Sequence, residues 1–247
     1  LLAPGAAETV IRPARHEVLN TDVPELLRSE SDLSLVPQRI APWPTGRAFQ
    51  RFLGDPTTRR RIHRVLDAYV RPAVPIRDAV DRFVAEHIGD GPVIGAHLRA
   101  TNHIGLDVGP KRYVDEVVVP EIEAHAERFG WSDCQVLVAT HVEPYLERCR
   151  ERLGDRCISR AIARNDDPGV RFNEIQVSIH EKSRDVLIDC LLLARCDALL
   201  GIPSNVLLTA LMLNPDSPLK IFDIALDRKE KWRDPERSAW ASPRIEG

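Results

Sequence analysis

His97 and Arg99 stand two apart at the end of the apolar run Val93–Ala96. Alternation along a strand puts both side chains on one face. A guanidinium offers two parallel hydrogen bonds to phosphate oxygens. In open α/β sheets, ligands bind outside the carboxyl ends of the strands. An Arg and a His at such an end are therefore suited to holding a phosphate. Pairing of Arg99 with a surface carboxylate is the structural alternative.

Three further stretches carry chemistry. The loop after this strand contains Asn102, His103 and Asp107. Asp107 is a candidate general base toward a substrate hydroxyl. His103 is a candidate phosphate donor, and Asn102 a cleft residue. His97 and His103 are six apart with no partner motif, so no metal site is expected. The second stretch, VLVATHVEPYL, places His141 just past an apolar strand. Glu143-Pro144 suits the first turn of a helix. In the third, SRDVLIDCLLLARCDALLGIPSN, Asp185 and Asp189 are four apart on one helix face. Asp189 is surrounded by Leu and Ile and needs a partner. A base edge with two adjacent N–H donors, such as guanine, would serve; so would Arg184 or Arg195. Ser204 and Asn205 open a helix whose free N–H groups suit phosphate, although Ser is also an ordinary N-cap.

The elements that must position these residues alternate. Helices are expected around Ile62–Tyr69 and Ile76–Ile88, the second ended by Gly89-Asp90-Gly91 through residues that tolerate left-handed dihedrals. Strands are expected at 93–98, 135–140, 156–159, 197–202 and 219–224. Helices are expected at 113–129 (bent near Pro120), 143–152, 183–195 and 204–213. A long polar loop covers 163–174. This pattern implies an α/β fold: a Rossmann-like parallel sheet with helices on both faces. Residues 1–45 are Pro-rich and irregular, with one short strand at 17–19. The tail from Asp227 carries Trp232 and Trp240.

Composition narrows the function classes. A net charge of −3 gives no support for nucleic-acid binding or a polybasic membrane patch. No apolar run approaches the ~18 residues of a membrane span. The five cysteines form no CxxC pair, which argues against a zinc ribbon. An odd cysteine count and the absence of a signal peptide point to a cytoplasmic setting. The chain begins LLAPGAAE without Met, so it is expected to be part of something longer. No Walker, dinucleotide or nucleophile-elbow motif occurs.

Together PVIGAHLRATNHIG, VLVATHVEPYL and SRDVLIDCLLLARCDALLGIPSN resemble the GDP-fucose-dependent fucosyltransferases. The likeness is greatest to the α-1,6 and nodulation types, with the protein O-fucosyltransferases more distant, and it spans roughly residues 69–224. It implies the donor-binding half of a GT-B fold. Its domains would be a partial acceptor-side region at 1–68, a nucleotide-sugar-binding domain at 69–226 and a tail at 227–247. It also implies an inverting, metal-independent transfer of fucose from GDP-fucose to a glycan or other hydroxyl acceptor, with no cofactor beyond that donor. Arg99 would hold the diphosphate with His97 beside it, Asp189 the guanine, and Ser204 and Asn205 the phosphates. Asp107 would activate the acceptor, and Tyr113 would be a further donor-site residue. The chain departs from relatives at Ala100, where many have a second Arg. In the α-1,6 enzymes an Asp stands in place of Asn102, and an acidic pair in place of His141-Val142. The alternative is a non-catalytic nucleotide- or sugar-binding module on the same fold.

Overall fold

The computed structural model describes residues 55–99, 109–168, 175–202 and 204–222. Asn102, His103, Asp107, the strand expected at 17–19 and the tail lie outside them. Val74–Ile224 form one compact unit. Helix α1 (Pro56–Tyr69) belongs to a separate unit. Asp55 caps it by accepting from the Thr57 N–H at 2.9 Å.

In the larger unit, five parallel strands run β1 (Val93–Leu98), β2 (Gln135–Thr140), β3 (Cys157–Ile158), β4 (Ala198–Gly201) and β5 (Leu219–Ile221). Their order in the sheet is β3-β2-β1-β4-β5. The chain therefore builds outward from β1 in one direction, then returns and builds in the other. Right-handed crossovers in opposite directions must place their helices on opposite faces. The packing follows that rule.

After β1 and β2 come α3 (Pro110–Tyr113), a π-turn at Val114–Val118, α4 (Val119–Phe129) and α5 (Glu143–Leu153). Tyr113, Ile122, Tyr145 and Leu146 pack there with Ile94, Ala96, Leu98, Val136 and Val138 of the sheet. After β3 and β4 come α6 (Ile179–Leu193) and α7 (Asn205–Leu213). They cover the other face, where α2 (Val74–His87) packs against α6. Every residue of β1 is buried, as a central strand covered on both faces must be.

Two glycines fix close approaches on that second face. A Cβ on Gly95 would lie 2.9 Å from side-chain carbons of Leu193 and Leu199. A Cβ on Gly201 would lie 2.8 Å from the His97 carbonyl oxygen. Gly201 pairs with His97 in the β1–β4 register, so the end of β4 meets β1 just at that residue.

Three local expectations change. The helix expected at 113–129 starts at Pro110 and widens into the π-turn instead of bending at Pro120. Pro120 lacks an N–H, and the wider turn, closed by the Val119 N–H on the Val114 carbonyl, precedes it. The helix expected at 183–195 starts four residues earlier. Ser178 and Glu181 form a capping box there, each bonding the other's backbone N–H. Among the described residues only Gly130 and Gly154 have positive φ, so α2 ends without a left-handed residue at Gly89 or Gly91.

Candidate functional site

In a sheet of this order the strand sequence reverses between β1 and β4. The carboxyl ends of those two strands flank the topological switch point, the place where open α/β folds bind ligands. His97 is the penultimate residue of β1 and Arg99 lies just past its end, and Ser204 lies three residues past the end of β4. The fold thus brings together residues more than 100 apart in sequence. The His97 Nδ1 and Ser204 Oγ are 2.8 Å apart, bridging the two strand ends. Ser204 also caps α7, its Oγ accepting from the Leu207 N–H at 3.1 Å.

His141 joins from the end of β2, the neighbouring strand. Thr140 is buried, and its Oγ1 accepts from the Val142 N–H at 3.2 Å. That turn sends the chain into α5. The segment 141–143 is pinned by a parallel bridge to Asn165: the Asn165 N–H donates to the His141 carbonyl and the Glu143 N–H donates to that of Asn165.

The electrostatics of this cluster are lopsided. Burial lowers the Arg99 pKa from its ordinary value, yet a guanidinium stays charged. Among the described residues, no carboxylate pairs with Arg99. Its charged-state neighbours are two imidazoles. Burial, then Arg99 and then His141, push His97 down to about 3. Burial and then Arg99 push His141 down to about 4. At neutral pH the cluster therefore holds two neutral rings and one half-buried cation. Such a cation is suited to an anion.

A second charged group lies along the β3 edge. Arg160, two residues past β3, binds Asp185 and Asp189 of α6, with 2.8 Å to an oxygen of each. All three are largely buried, at 13% exposure for Arg160 and 17% for each carboxylate. Arg164, 6% exposed, donates to the carbonyl oxygens of Thr140 and Arg160 and to Ser159 Oγ. It ties the loop after β3 to the end of β2. A cleft of about 490 Å³ opens beside these arginines, lined also by Glu181 and Arg184.

The other expected site residues separate. Asp189 has the partner its apolar setting demands, but that partner is Arg160. Arg184 reaches Asp185 instead, at 3.5 Å, and Arg195 pairs with Asp81. Asn205 is exposed in the first turn of α7. Tyr113 is not brought to the cluster. It is fully buried on the opposite face of the sheet, 5.3 Å from the Tyr145 ring. Glu143 opens α5, as the helix-start reading requires, and pairs with Arg150 and Arg164. Arg160 and Arg164 were not legible as site residues. Their signal in the sequence is the carboxylate pair Asp185 and Asp189, four apart on one helix face and in need of a cation. Among the described residues, no group of three or more His, Cys, Asp or Glu could hold a metal ion, and no helix is long and apolar enough to cross a membrane.

No protein-family model matches the chain, and no curated protein matches it. Solved structures similar to it include fucosyltransferases. NodZ from Bradyrhizobium is 18% identical, with 66% of this chain and 48% of that one covered and a TM-score of 0.41. A mutant of FUT1 from Arabidopsis thaliana in complex with GDP is 15% identical, covering 67% of this chain and 36% of that one, TM-score 0.45. POFUT1 in complex with GDP is 12% identical, covering 62% and 48%, TM-score 0.41. The chain spans less than half the length of each.

Proposed function

We propose that the crevice outside β1 and β4 binds the diphosphate of a nucleotide sugar, GDP-fucose, and that this unit is the donor-binding half of a glycosyltransferase. The observation that carries the reading is Arg99: half-buried at the switch point, with no described carboxylate to neutralise it. The sequence resemblance supplies the identity of the donor and the acceptor class.

The reaction is a single displacement. The acceptor oxygen forms a bond to the anomeric carbon from the side opposite the diphosphate. The bond from that carbon to the phosphate oxygen breaks, and its electron pair leaves with GDP. The configuration inverts. The hydroxyl proton passes to a carboxylate, a role the resemblance gives to Asp107. Negative charge grows on the departing diphosphate. Arg99 meets that charge, and a fixed cation in a half-buried site acts more strongly than one in water.

Calorimetric titration with GDP, UDP, ADP and GDP-fucose tests this. The expected result is selective binding of GDP and GDP-fucose, lost in Arg99→Ala while the thermal transition is kept. Absence of any nucleotide binding, or binding untouched by Arg99→Ala, overturns it.

A further inference from the structure

The hydrogen bond between His97 and Ser204 contains more information than its distance. A serine hydroxyl has one proton to donate and two lone pairs to accept with. Ser204 is 1% exposed, so water does not serve it. One lone pair takes the Leu207 N–H. The remaining described partner is His97 Nδ1.

Two arrangements are possible. If Nδ1 carried the ring proton, it would donate to the second lone pair of Ser204. The serine's own O–H would then be a buried donor with no described acceptor, at a cost of about 1–3 kcal/mol. If Nδ1 is bare, Ser204 donates to it and every group is satisfied. Native structures satisfy nearly all their buried polar groups. The second arrangement puts the proton of the neutral ring on Nε2. His97 makes no second hydrogen bond among the described residues, so that N–H is not consumed within the described fold.

We propose that Ser204 is a positioning residue that holds His97 as the neutral Nε2–H tautomer, so that the ring presents a hydrogen-bond donor beside Arg99 to an acceptor oxygen of a bound diphosphate. The ligand rests on the reading under Proposed function; the tautomer does not. Ser204 thus acts through His97, with its own hydroxyl turned inward. A fixed neutral donor beside a cation suits phosphate, because a neutral ring adds a bond without adding a second buried charge. The charged and titratable groups that bear on His97 are Arg99, at the end of its own strand, and His141, past β2. Both resist its protonation.

The experiment uses the full chain with ¹⁵N-labelled histidine and long-range proton–nitrogen correlation, with His97 assigned through His97→Gln. Across pH 5.5–8 the wild type is expected to show a bare Nδ1 and a protonated Nε2. A protonated Nδ1, or an averaged pair of nitrogens, overturns the proposal. In Ser204→Ala the ring is expected to average between tautomers, and inorganic pyrophosphate to bind about tenfold more weakly, the worth of one hydrogen bond. Ser204→Thr, which keeps the hydroxyl, is expected to restore both. An unchanged tautomer and unchanged affinity in Ser204→Ala also overturn it. Should the Ala variant fail to fold, the wild-type spectrum and the Thr variant still decide. The expected tautomer with no pyrophosphate binding counts against the diphosphate reading and leaves the hydrogen-bond assignment standing.

Discussion

The β1/β4 crevice and the β3 edge are built from the same chemical parts and spend them differently. At the β3 edge, Arg160 is answered by Asp185 and Asp189, and Arg164 by backbone carbonyls, Ser159 and Glu143. At the crevice, Arg99 is answered by no described carboxylate, and the two rings near it are held neutral. A cation satisfied from within holds the fold together. A half-buried cation with no described carboxylate beside it is suited to an anion. Composition alone does not separate the two; the pairing does.

The largest expected effect breaks the structural half of that contrast. Arg160→Ala leaves two largely buried carboxylates without their cation. Breaking a buried pair from one side costs about 3–5 kcal/mol. Chemical denaturation should show a loss of that size. A loss under 1 kcal/mol would mean that Arg160 does not hold the fold together.

Next comes the ligand half. Arg99→Ala should weaken GDP binding about 100-fold, the scale of a charged, two-pronged hydrogen bond. Stability should move by no more than about 0.5 kcal/mol, because no described partner is left stranded. The reverse pattern, a stable binder with a damaged fold, would exchange the roles of the two arginines.

Acid should find the crevice too. The folded pKa of His97 is about 3, below the 6.5 of an exposed histidine, so the unfolded chain takes up the proton first. Stability is then unaffected above pH 6.5 and falls as the pH drops from 6.5 toward 3. Linkage gives about 1.4 kcal/mol per pH unit, or about 2 kcal/mol at pH 5. His141, pushed down to about 4, adds in the same direction. Arg99 contributes to both depressions, so Arg99→Ala should flatten the acid limb of the stability curve. An unchanged limb in that variant would mean that burial, the larger cause of both depressions, sets them without Arg99.

Sequence reading went furthest where one residue type serves one local rule. The buried strands were legible from Val, Ile and Leu runs, because a parallel sheet covered on both faces tolerates little else. His97 and Arg99 were legible from their alternation at a strand end. The partner of Asp189 was not, because Arg160 sits 29 residues upstream and meets it only through the sheet. The start of α6 was missed although Ser178 and Glu181 spell a capping box, since the polar face around His180 and Lys182 hides the helical period. The His97–Ser204 bond spans 107 residues, and it follows from strand order rather than from any motif.

The smallest expected effect is the one that sharpens the contrast most, because Asp189 lies at the β3 edge while the resemblance assigns it to the ligand. As structure it is half of the answer to Arg160; by resemblance it reads guanine. Asp189→Asn keeps an oxygen to accept from Arg160 and leaves Asp185 to balance the charge. Burial already disfavours the Asp189 carboxylate, raising its pKa against the pull of Arg160, so losing the charge also relieves a desolvation cost. The net loss of stability should be only about 1 kcal/mol. Nucleotide choice is the finer readout. A carboxylate that accepts from both N–H groups of guanine discriminates it from adenine by about 1–3 kcal/mol, as paired hydrogen bonds to base edges do elsewhere. Asp189→Asn should therefore bring the GDP and ADP affinities to within a few-fold of each other. A GDP preference that survives the change would place Asp189 wholly with the β3 edge, and base recognition would have to come from another part of the crevice.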